Sequence, residues 1–87
     1  MTQLNVASPE AKQAVDKSIE WMNMMVNQIT PFVLKKIESC ERLGNGHIKS
    51  KVILVTDCFQ GKDFEFELVL DPSVNTPEGL LVHNQLN

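Results

Sequence analysis

With 87 residues and 9.8 kDa, the chain has room for one domain, residues 1–87, and a thin core; at this length roughly 60–65% of the unfolded surface is buried on folding. An apolar content of 43% reads as globular, while a net charge of -3 and a pI near 5.2 argue against nucleic acid, whose binders usually carry a basic face. No apolar run approaches the ~18 residues of a membrane span, and two cysteines with two histidines fall short of a familiar four-ligand zinc pattern. A small soluble domain is expected. The start of the chain lacks a signal peptide's basic end and apolar stretch, which leaves the compartment open between the cytosol and a secreted form read without its leader.

Residues 3–6 alternate as Gln3, Leu4, Asn5, Val6, enough for a short edge strand. Ser8-Pro9-Glu10 then reads as a helix start. The serine oxygen can cap a free N–H, proline suits the first turn, and an acid favours the positive end of the dipole. Ala11, Ala14, Val15, Ser18, Ile19, Met22, Met25, Val26 and Ile29 recur at helical period. Lys12, Asp16, Lys17, Glu20, Asn23 and Asn27 take the other side, and Trp21 and Met24 fall at the border. Thr30-Pro31 predicts the stop, because the residue before proline is pushed out of the helical region. Such a helix would be roughly 30 Å long.

After Pro31 the period becomes two, with strands predicted over 32–43, 47–59 and 64–70 and a short fourth over 80–83. Asn45-Gly46 predicts a type I′ hairpin turn, pairing Leu43 with Ile48 and Ile37 with Leu54. Val33, Val52 and Cys58 then share the core face. A second turn around Gln60-Gly61-Lys62 pairs Thr56 with Phe66, Leu54 with Leu68 and Val52 with Leu70, turning Phe64, Phe66, Leu68 and Leu70 inward. Cys40 falls on the opposite face from Cys58, so the two thiols are not placed to bridge. The fold class that follows is α+β: one long N-terminal helix packed against a curved antiparallel β-meander. On the outer face stand Lys36, Glu38, Arg42, Lys49, Lys51, Glu65 and Glu67. Ile53, Val55 and Val69 fall there too, with Leu34 nearby, either as scattered surface aliphatics or as an apolar strip for partner docking or self-association.

The segment Ser18-Ile19-Glu20-Trp21-Met22-Asn23 is similar to the helix pattern of the cystatins. Phe32-Val33-Leu34-Lys35-Lys36-Ile37-Glu38-Ser39, the Lys62-Asp63-Phe64 turn, and Asn75-Thr76-Pro77 with Leu80-Leu81-Val82-His83-Asn84-Gln85 follow in that family's order. Over nearly its whole length the chain resembles a cystatin, and more particularly the compact, disulfide-free stefin type. The resemblance implies a cystatin-like fold and, in the family's inhibitors, a wedge that blocks papain-like cysteine proteases. That wedge combines a glycine-containing N-terminal trunk, a first loop of the form Gln-Val-Val-Ala-Gly, and a second loop often carrying Pro-Trp or Pro-His. Carried over here, the trunk is Leu4, Asn5, Val6 and Ala7. The first loop is Arg42, Leu43, Gly44, Asn45 and Gly46, and the second contributes Pro72, Val74 and Pro77. Only Gly46 matches the first-loop motif, the trunk has no glycine, and the second loop has no tryptophan.

Catalytic, metal and cofactor chemistry find no constellation. His47 flanks a turn and His83 lies near the C-terminus, neither with a partner at ligand or general-base spacing. Glu65 and Glu67 form an alternate pair without an implied cleft. Lys35, Lys36, Arg42, Lys49 and Lys51 hold five of the eight basic residues, interrupted by Glu38 and Glu41. The chain therefore reads as a binding protein rather than an enzyme. Its expected partner is a protein: a papain-like cysteine protease at the wedge, or another protein or second copy on Leu34, Ile53, Val55 and Val69. Domain swapping of the first hairpin, for which stefin-like proteins are known, is one route to a homodimer. Neither nucleic acid nor a membrane is expected as partner.

Overall fold

The computed structural model describes residues 2–26 and 30–84. Its elements are β1 (Thr2–Gln3), α1 (Pro9–Met25), β2 (Val33–Arg42), β3 (Ile48–Val55), β4 (Phe64–Leu70) and β5 (Leu80–Asn84), with 3₁₀ turns at Asp57–Phe59 and Pro77–Gly79. The strands form one antiparallel sheet in the order β1-β2-β3-β4-β5. One helix on that sheet makes the α+β class that the change of period after Pro31 predicts.

Ser8 caps α1 as its residue type foretells, its Oγ accepting from the Ala11 amide at 3.2 Å, with Pro9 in the first turn. The helix stops earlier than Thr30-Pro31 predicts: Val26 is already extended, at φ -96° and ψ 117°. Its 17 residues span roughly 25 Å, and Asn27 and Ile29, assigned above to the helix, lie outside the described residues. Asn23 gives the physical reason. Its side chain accepts from the Phe32 amide at 2.9 Å and donates to the Phe32 carbonyl at 3.0 Å, pinning the returning chain to the last helical turn. Asn23 is therefore half-buried, not part of a solvated face. Met25, assigned to the apolar stripe, is 48% exposed for the same reason. Trp21, at the stripe's border, is buried instead.

The hairpin at Asn45-Gly46 forms without a type I′ turn. Among the described residues no non-glycine has positive φ, while Gly46 stands at φ 89°. The Gly46 amide reaches the Leu43 carbonyl at 3.0 Å and the Leu43 amide reaches the His47 carbonyl at 2.8 Å. This is a three-residue connection closed by a left-handed glycine, and Arg42 now pairs with Ile48. Further down, β2 carries two bulges, between Leu34 and Lys36 and between Ile37 and Ser39. Each inserts a residue and turns the side chains over. The β2 residues opposite core positions are consequently Leu34, Ile37 and Cys40, paired with Leu54, Val52 and Ser50. Of the predicted core residues on this strand only Ile37 holds; Val33 is 56% exposed and pairs with Val55 on the outer face. Cys40 is the buried thiol and Cys58 the exposed one, reversing the expectation, and both are free.

Between β3 and β4 the register differs by four residues from the predicted one: Leu54 pairs with Phe64 and Val52 with Phe66. Thr56 to Asp63 form the connection. It contains the 3₁₀ turn and then a type II turn in which Gln60 stands at φ -61°, ψ 139° and Gly61 at φ 79°. Cys58 thereby leaves the strand. A slip of four preserves parity, so Phe66, Leu68 and Leu70 are buried with Ile48, Val52 and Leu54 as the alternation predicts. Ala11, Val15, Ser18 and Met22 of α1 close this core. Phe32 stacks edge-on to Phe64 and Phe66, at 5.7 and 5.4 Å between ring centroids.

Candidate functional site

The antiparallel order brings the β2–β3 loop and the β4–β5 connection to one end of the sheet. Thr2 joins them there by pairing with Arg42. The two loops meet at their bases, where His47 Nε2 lies 3.3 Å from Asp71 Oδ2. Each loop is also braced from within. Asn45 Oδ1 accepts from the His47 amide at 3.0 Å. Asp71 Oδ1 accepts from the Ser73 hydroxyl at 2.7 Å and the Ser73 amide at 3.0 Å. The Ser73 hydroxyl, then its amide, and with them His47, hold the Asp71 carboxyl below its ordinary range.

Gly44 and Asn45 are exposed at the first tip, and Leu43 and Gly46 are half-buried. In the second loop Pro72 is exposed while Val74 and Pro77 are half-buried. Arg42, placed on the outer face by alternation, instead reaches to the helix side and pairs with Glu10 of α1. The trunk divides: Leu4 donates its amide to the Cys40 carbonyl at 2.8 Å and packs against the core, whereas Asn5, Val6 and Ala7 are exposed.

A cleft of about 290 Å³ opens between α1 and the second loop. Ala14, Trp21, Ile48 and Leu70 give it apolar walls, and Pro72 and Val74 close its loop side. Lys17 Nζ stands 4.7 Å from the centroid of the Trp21 ring. Trp21 Nε1 is buried, with no hydrogen-bond partner among the described residues.

The outer face does not carry the four aliphatics as one strip. Leu34 belongs to the core side, opposite Leu54, because the first bulge turns it over. Ile53 and Val55 lie at the end away from the paired loops, beside Val33. Val69 lies at the loop end beside Leu81. Charged rows separate them: Lys49 Nζ lies 3.0 Å from Glu41 and 3.6 Å from Glu67, and the hydrogen bond that Lys49 donates to Glu41 is the main cause holding its ammonium above its ordinary range. Among the described residues no group of three His, Cys, Asp or Glu is placed to hold a metal, and no helix is long and apolar enough to cross a membrane. No family model, no curated protein and no solved structure matches the chain.

Sequence reasoning passed over His47 and Ser73, which organise this end, and Asn23, which holds the opposite end of the sheet at Phe32. Asn23 reads as part of a solvated helix face and His47 as a turn-flanking side chain, while Ser73 has no role assigned within the second loop. Asp71-Pro72-Ser73 carried a usable signal, since an Asp two residues before a serine amide commonly closes an Asx turn.

Proposed function

We propose that the domain is a cystatin-like binding protein that presents the loop end of its sheet to a protein partner, a papain-like cysteine protease being its most specific form. The observation carrying this reading is the 3.3 Å contact between His47 and Asp71, which ties the two loops together. A wedge binds tightly only when its loops are ordered before contact, so that little entropy is lost on docking. The bracing by Asn45 and Ser73 acts in the same direction. Leu43 and Val74 supply the apolar contacts, and Gly46 and Pro72 shape the loops. The order of one strand, one helix and four further strands is the order the cystatin resemblance implies, and supports the same reading.

A second reading is favoured by Val33, 56% exposed beside Val55: a non-inhibitory interaction or oligomerisation domain using the outer face. One experiment separates the two. Papain and a cathepsin are titrated with the purified domain while light scattering reports its mass. The wedge reading expects nanomolar inhibition by a monomer, weakened at least a hundredfold by Leu43→Asp or Val74→Asp and untouched by Val55→Lys. No inhibition at micromolar concentration overturns the protease assignment, and association abolished by Val55→Lys alone places function on the outer face.

A further inference from the structure

The two edges of the sheet differ. At the β2 edge, β1 covers only Arg42 and Glu41, with the Leu4 amide bonding to the Cys40 carbonyl. The stretch of β2 left open before Cys40 carries both bulges and the lysines Lys35 and Lys36. Bulges and lysines are devices that keep an open edge from pairing with another chain. The β5 edge has neither. Its residues Leu80 to Asn84 run against Leu70 to Phe66 in unbroken register, they include no proline or lysine, and Leu81 is 56% exposed. The ladder also fixes which backbone groups face outward. The Asp71 amide donates to the Gly79 carbonyl at 2.8 Å, in the same register that pairs Leu70 with Leu80. Bonded pairs alternate along an antiparallel ladder. Leu81 and His83 therefore turn their amides and carbonyls towards β4, while Leu80, Val82 and Asn84 turn theirs to the open edge. The Leu80 amide is already bonded to the Pro77 carbonyl. Among the described residues, no loop backbone bonds to the Val82 amide or carbonyl.

We infer that β5 is the pairing edge for a second copy of this chain, the two β5 strands running antiparallel about a two-fold axis at Val82 and joining the sheets into one. The pattern of free groups selects that occupant. About this axis the Val82 amide of each copy donates to the Val82 carbonyl of the other. Each Asn84 amide meets the opposite Leu80 carbonyl, the group at Leu80 that Pro77 leaves free. An isologous pairing of this kind closes on itself and stops at a dimer. Leu81 then stands beside the partner's His83, and its exposed side chain is covered. This edge is separate from the loop tips and from Val33 and Val55, so the pairing depends on neither reading proposed above.

A contact this small gives weak, reversible association, so sedimentation of the purified domain up to about 1 mM, the weak end of specific binding, is expected to show a monomer–dimer equilibrium. Amide hydrogen exchange by NMR reads the edge itself. In dilute protein the Leu81 and His83 amides, bonded to β4, are expected to be protected while the Val82 amide exchanges freely. As the dimer fraction rises, the Val82 amide should slow at least tenfold. Val82→Pro removes the outward donor without breaking a bond to β4, a place where an edge strand tolerates proline, and should leave the monomer alone. Leu81→Lys puts a charge on an exposed position of the strand and should weaken association at least tenfold, with circular dichroism confirming the fold of both variants. Val55→Lys should leave the equilibrium unchanged. A domain that stays monomeric throughout, a dimer whose Val82 amide exchanges as freely as in the monomer, or a dimer lost in Val55→Lys but kept in Leu81→Lys overturns the inference.

Discussion

Cys58 stands exposed at the 3₁₀ turn, with the Thr30 hydroxyl 3.0 Å from its sulfur. Cys40 is buried, and burial first, then the neighbouring Glu41 charge, push its thiol up. Because the thiolate is the reactive species, the two should separate cleanly. A chromogenic disulfide reagent at mildly alkaline pH is expected to titrate one thiol rapidly in the folded protein and the second only in denaturant. Cys58→Ser should remove the fast phase; a fast phase surviving it would show that Cys40 is reachable. Asp71 gives the pH dependence at this scale. Its carboxyl titrates lower in the folded chain than in the unfolded one, where carboxylates of this type ionise near ~3.9. The stability it contributes is therefore complete above that value and is lost as pH falls through the lower folded value. Ser73→Ala removes the leading cause, so NMR titration should find the Asp71 carboxyl moved up towards its ordinary range. An unmoved value would mean that Ser73 does not hold it.

Asn23 pins the return of the chain from α1 to β2 at Phe32, and Thr30 adds hydrogen bonds with Thr56 and the Cys58 amide. Asn23→Ala removes both hydrogen bonds to the Phe32 backbone and leaves that donor and acceptor without their partner. Equilibrium denaturation is expected to show a loss of about 1–3 kcal/mol, with little change in the slope against denaturant. A loss below the error of the measurement would show that water replaces the amide at no cost. Helix start, strand identity and the strand boundaries at 64–70 were legible because each rests on local chemistry: a capping serine, a proline in the first turn, an alternation of period two. The end of α1 was not, since what stops the helix is a contact from Asn23 to a residue nine positions on. The face of β2 was not legible either. Its inward residues Leu34, Ile37 and Cys40 are spaced by three, a pattern that a strand shows only when bulges are inserted.

Across the whole molecule, the inner surface of the sheet and the helical stripe close on one another, leaving the loop end and the outer face of the sheet facing outward. The loop end was partly legible. Asn45-Gly46 and Pro72 to Pro77 announce two turns, and a meander of this order brings both to one end of its sheet. Their coupling through His47 and Asp71 was not, because residues 24 apart in sequence carry no mark of being neighbours. The outer strip failed for a related reason: its four members were grouped by parity alone, and a single bulge moved Leu34 to the other side.

Composition and periodicity alone determined the α+β class, the order of one helix and a meander, and the inward face of β3 and β4, because each follows from burying apolar residues at a period set by backbone geometry. A slip of four in the β3–β4 register left that face intact, since parity is all that burial tests. Only the tertiary structure decided which cysteine is buried, where α1 ends, and that a cleft lined by Trp21 lies beside the second loop. Those outcomes depend on one-residue insertions and long-range hydrogen bonds, whose energies of about 1 kcal/mol leave no periodic trace in the chain.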